Sequence, residues 1–82
     1  MDIHRLVTMA NDIGAFFAGH PAHDEVVGGI ANHLRNFWEA RMRREIVSYV
    51  AGGGDELKPL VREAVLALAA MPADESEDVG EG

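Results

Sequence analysis

Cysteine is absent from this 82-residue chain, so neither a disulfide nor a thiolate-held metal can staple its fold. Long apolar runs are also missing: no stretch is long enough to span a bilayer. The opening residues MDIHRLVTMAND carry acidic and polar side chains where a signal peptide needs an uninterrupted apolar segment. These absences predict a soluble, cytoplasmic protein. A chain this short buries only about 60–65% of the surface its unfolded form exposes, enough for one modest core. Stability must come from packing or from a bound partner.

Basic residues are missing from one part of the chain. Residues 1–71 hold nine acids and seven bases, whereas residues 72–82 hold five acids and no base, so the net charge of −7 belongs mainly to the end of the sequence. That acidic stretch has a single apolar side chain, Val79, and reads as a disordered tail following a helical domain over 1–71. No alternating β-branched run argues for a strand, and no internal repeat appears.

What is present is helical periodicity. Ile3, Leu6, Val7, Ala10, Ile13, Gly14 and Phe17 recur at the spacing of a one-sided helix over about 2–18, with Gly19 and Pro21 placed to stop it. A second helix begins near Ala22, with Asp24 and Glu25 in its first turn and Val27, Ile30, Ala31, Leu34, Phe37 and Trp38 on one face. The next apolar arc, Met42, Ile46, Tyr49 and Val50, is rotated by about 100° from that face. A straight helix would turn one of the two sets toward water, so a break is expected between Trp38 and Ala40 although no glycine or proline marks it. Gly52, Gly53 and Gly54 then end the third helix near Ala51. A fourth helix presents Leu57, Leu60, Val61, Ala64, Leu68 and Met71; it starts at Asp55 as N-cap or later with Pro59 in the first turn, and Pro72 ends it. The fold class is all-α, a small bundle of about four short helices.

Reactive constellations are thin. His20, His23 and Asp24 could cluster at a helix start, but a metal site needs three or four convergent ligands and His4 and His33 stand apart, so the two histidines read as polar turn residues. Thr8, Ser48 and Ser76 have no motif of base and orienting group around them, and the glycines match no phosphate-binding pattern. No cofactor and no catalytic activity are expected. The basic cluster Arg35, Arg41, Arg43 and Arg44 is interleaved with Glu39 and Glu45, which disfavours nucleic acid and leaves two readings: a solvated helix surface, or guanidiniums that meet carboxylates on a partner. Met9 and Phe16 widen the apolar arc of the first helix, and Leu66 lies opposite the inward face of the fourth. With Phe37 and Trp38 beside arginines, they have the composition of a binding surface; equally, Met9 and Phe16 can be core residues contacted by two neighbouring helices. His33, beside the apolar arc of the second helix, reads as a packed or interfacial ring.

The stretches LVTMANDIGAFFAGHP, VVGGIANHLRNFWEARMRREIV and LKPLVREAVLAL resemble the small delta subunit of soluble, NAD-dependent, molybdenum-containing formate dehydrogenases. The resemblance covers about residues 4–70. Its most specific parts are Met9, Ala10, Asn11, Ile13, Gly14, Phe16 and Phe17, and then His33, Leu34, Phe37, Trp38, Arg41, Met42 and Arg43. The family often has proline at the position of Ala40, where the phase shift already places a break. It tends to have serine where Lys58 stands, which here passes the capping role toward Asp55. The resemblance implies an accessory chain without a redox centre. It would bind the catalytic part of a complex whose other subunits carry the molybdopterin cofactor, iron-sulfur clusters, flavin and NAD site, and support assembly, stability or cofactor insertion. Met9, Asn11, Phe16, His33, Phe37, Trp38, Arg41, Met42, Arg43 and Leu66 are the expected partner-binding residues. A homo-oligomeric helical module unrelated to redox enzymes is the alternative.

Overall fold

The computed structural model describes residues 2–71; Met1 and the acidic segment 72–82, expected to be a disordered tail, lie outside the described residues. Four helices follow one another: α1 (Ile3–Phe17), α2 (His23–Phe37), α3 (Ala40–Ala51) and α4 (Pro59–Ala70). No strand occurs among the described residues. Every pair of helices is in contact, and α2 and α4 share the most extensive interface. Fully buried Leu6, Ile30, Leu34, Ile46, Val61 and Val65 draw on all four, so one core serves the whole bundle. Gly14 permits this closeness: it is buried where α1 meets α4, and a Cβ there would overlap the Val61 side chain.

Asp2 caps α1, its Oδ1 accepting from the His4 amide at 2.9 Å, which satisfies one of the amides left free at a helix start. The turn to α2 runs through Ala18 to Ala22. Within it the Ala22 amide donates to His20 Nδ1 at 3.2 Å.

The break between the second and third helices falls at Trp38 and Glu39, both extended, where the phase shift places it. Arg43 holds it closed. Reaching back from the first turns of α3, its Nη1 donates to the Arg35 carbonyl at 2.8 Å and to the Trp38 carbonyl, both at the C-terminal end of α2. Carbonyls there lack partners within the helix, and a guanidinium suits both their geometry and the negative end of the dipole. A side chain thus secures a break that has no proline.

After α3 the chain reverses through the glycine triplet. Gly54 has φ +63°, and its buried backbone lies so close to Val50 that a side chain would meet Val50 at 3.3 Å; both facts favour glycine. Leu57 is buried, as its place in the apolar pattern suggests, but it packs from the turn before α4. The capping expectation for Asp55 is overturned, because Pro59 is the first residue of α4 and Lys58 the cap position, with no side-chain bond of its own. Asn11 of α1 takes over part of that role. Its Oδ1 accepts from the Lys58 amide at 3.0 Å and its Nδ2 donates to the Glu56 carbonyl at 3.0 Å, bracketing the start of α4 against α1. The Tyr49 hydroxyl steadies the same turn by accepting from the Glu56 amide at 3.0 Å.

Candidate interaction surface

Helices α1 and α2 lie close at their Phe17 and Gly29 positions. A Cβ on Gly29 would stand 2.9 Å from the Phe17 ring, so the missing side chain lets that ring rest on α2. Phe16, the next residue round the helix, is left outside and is 86% exposed. Its ring meets the edge of Phe17 with centroids 5.7 Å apart. On α2, His33 stacks at a tilt against Phe37, centroids 4.7 Å apart, and Phe37 is itself 73% exposed. Between the two helices runs a groove of about 290 Å³ lined by Asp12, Ile13, Phe16, Phe17 and His33. Its walls are almost wholly apolar. Exposed Phe16 in the lining, and exposed Phe37 stacked on the His33 ring that also lines it, make this the apolar face most available to a partner among the described residues.

The sequence-derived residues distribute unevenly over this geometry. Phe16 and His33 line the groove, and Phe37 joins it through the stacked His33 ring. Exposed Arg41 has no ion-pair or hydrogen-bond partner among the described residues, and Leu66, 55% exposed on α4, lies outside the groove. Met9 and Met42 are half-buried against the core. Trp38 is only 6% exposed and fills the core at the α2–α3 break, so it has almost no area left to bury in a partner. Asn11 and Arg43 already hold backbone groups of their own chain. Asp12, Ile13 and Phe17 also line the groove, beyond the contact residues expected from the sequence. The sequence signal for Asp12 is that it is an acid interrupting the apolar arc between Met9 and Phe16.

Three of the four histidines are drawn to separate carboxylates. His23, at the start of α2, binds both oxygens of Glu63 on α4 through Nε2 at 2.7 and 2.8 Å, His20 lies 3.6 Å from Glu25, and His4 lies 3.3 Å from Glu56. Among the described residues no three side chains of metal-binding type converge. The hydrogen bond and charge of Glu63 raise the His23 pKa above its ordinary 6.5, with Asp24 adding to the effect and partial desolvation opposing it. A raised folded-state pKa means that the α2–α4 tie is fully present below the unfolded value and fades as pH rises through the folded one. Thermal melts from mildly acidic to alkaline buffer should therefore show the wild type losing stability relative to Glu63→Gln as the pH rises. Parallel curves would show that the pair contributes nothing.

Among the described residues no helix is long and apolar enough to cross a membrane. A family model described as the NADH-dependent formate dehydrogenase delta subunit FdsD matches residues 5–65, a span from the first turn of α1 into α4 that contains the whole groove, the helix break and the Asn11 bracket. No curated protein and no solved structure matches the chain. The match covers most of the sequence and agrees with the resemblance carried by the Met9–Phe17 and His33–Arg43 stretches, so the chain belongs to the family of NADH-dependent formate dehydrogenase delta subunits.

Proposed function

We propose that this chain is a non-catalytic accessory subunit that docks on the catalytic part of a formate dehydrogenase through the α1–α2 face, and so supports assembly, stability or molybdenum-cofactor maturation of the complex. The observation that carries this reading is the exposure of Phe16, which lines an apolar groove, and of Phe37, which stacks on His33 in the groove's lining, in a chain whose family is a subunit of such a complex. His4, His20 and His23 are engaged with carboxylates away from the groove, and the histidine that lines it, His33, is stacked on Phe37 as part of an apolar wall. In this reading the chain works in the cytoplasm and holds no cofactor of its own.

Magnitudes say how large the contact must be. Burying two phenylalanines contributes about 3–6 kcal/mol, and losing free translation and rotation on association costs about 4–15 kcal/mol. The aromatic pair alone would bind weakly at best. The interface therefore extends to further surface, with Arg41 pairing to a partner carboxylate and the exposed parts of Met9, Met42 and Leu66 adding apolar area.

Co-expression of the enzyme with and without this chain tests the proposal. Formate-dependent reduction of NAD and the molybdenum content of the purified enzyme should both fall when the chain is omitted, and a tagged copy should co-purify with the catalytic subunit. Equal activity and metal content in both samples, with no co-purification, would remove the idea.

A further inference from the structure

The joint between α2 and α3 is short, and no residue type in it enforces a bend. Trp38 (φ −91°, ψ 144°) and Glu39 (φ −67°, ψ 155°) are extended, a conformation open to any residue, and the only positive φ angles among the described residues belong to Gly53 and Gly54 in the next turn. Glu39 and Ala40 are good helix formers, so local preference would allow α2 to run straight on into α3. Arg43 opposes that outcome. In a continuous helix the Arg35 carbonyl would accept from the Glu39 amide and the Trp38 carbonyl from the Met42 amide, each four residues on. In the bent chain Arg43 Nη1 donates to those same two carbonyls, at 2.8 Å for Arg35. The clamp and the straight helix therefore compete for the same acceptors.

Opening the joint separates helices with little to lose, since α2 and α3 share the least extensive interface in the bundle. The real loss is the packing of the α3–α4 half on the α1–α2 half, above all the α2–α4 interface. A second copy opened in the same way returns that packing, because each half finds its complement on the other chain. The rotated apolar arcs also fit this form: a straight rod cannot bury both in one bundle but can give one arc to each of two. We infer that Arg43 is the latch of a two-state joint, whose open form is a dimer in which two copies exchange their α3–α4 halves through a continuous α2–α3 helix. The α1–α2 groove survives the exchange because both its helices come from one copy, so the dimer carries two such faces where the monomer has one.

Sedimentation of the full chain tests this. Wild type kept dilute should be a monomer. Arg43→Met, which keeps an apolar stem and removes the guanidinium, should double the sedimenting mass and stay dimeric on dilution, because exchanged halves part only when both bundles open. Adding Ala40→Pro should return Arg43→Met to a monomer: Ala40 is the first residue of α3, where a proline ring is tolerated, and Glu39 before it is already extended, whereas a continuous helix would be broken there. Replacing Phe16 and Phe37 with alanine should leave this dimer intact, which separates exchange from a face-to-face contact. Wild type melted and cooled at high concentration should yield some of the same slowly dissociating dimer, and Ala40→Pro treated alike should not. The inference fails if Arg43→Met is a folded monomer, if its dimer dissociates on dilution or survives Ala40→Pro, or, should Arg43→Met not fold, if cooled wild type gives no dimer that Ala40→Pro abolishes.

Discussion

Trp38→Ala should destabilise the protein by about 3–5 kcal/mol, the range for removing a large buried aromatic from a core that cannot collapse around the gap. A domain of this length has a total stability of only about 4–12 kcal/mol, so the variant is expected to be partly unfolded at physiological temperature. The position makes relaxation hard. Trp38 is 6% exposed, its amide donates to the Leu34 carbonyl at 3.0 Å, and its own carbonyl receives Arg43, so backbone and ring are fixed from two helices at once. Urea denaturation followed by circular dichroism would measure the loss. A shift worth less than about 1 kcal/mol would mean that Trp38 is not part of the core. As the sole tryptophan, it also supplies a clean readout: its emission should report unfolding strongly and partner binding hardly at all.

Trp38 shows where reading the chain in one dimension reaches its limit. The 100° phase shift located the α2–α3 break, because a helix with two apolar arcs cannot bury both while it stays straight. It could not say which of two adjacent aromatics turns inward. That is decided at the break itself, where the backbone passes from helical at Phe37 to extended at Trp38 and sends one ring to solvent and the next into the core. Met9 and Phe16 make the same point. Both widen the arc of α1, yet one is half-buried and the other 86% exposed, because the neighbouring helices reach one flank and not the other. The long-range polar ties were beyond any periodic signal. Asn11 meets the turn 45 residues later and His23 meets Glu63 40 residues later, and nothing in local spacing distinguishes such residues from solvated ones. Val65 is fully buried on α4 although the apolar face expected from the sequence does not include it, and Leu57, which that face includes, packs from the preceding turn.

Replacing Phe16 and Phe37 together with alanine should have the opposite profile to Trp38→Ala, with little change in the fold and a large loss of association. Both rings are mainly in water, so their removal forfeits only the edge contact with Phe17 and the stack on His33, each worth about 0.5–1.5 kcal/mol at most. Alanine's higher helix propensity returns part of that at Phe16, inside α1. In a complex the same rings become anchors at the centre of a dehydrated contact, where truncation commonly costs at least about 2 kcal/mol each. The two rings are linked through His33, which lines the groove with Phe16 and stacks on Phe37, and will not add simply, but a weakening of about a hundredfold or more is expected. Titration of the double variant against delta-depleted enzyme, alongside its thermal melt, separates the two effects. Leu66→Ala provides the comparison, since that side chain is exposed yet lies away from the groove and should cost less. Wild-type affinity in the double variant would move the docking face elsewhere on the bundle. A melt as damaged as that of Trp38→Ala would mean that the two rings are held by the core after all, and that α1 and α2 leave no apolar surface free for a partner.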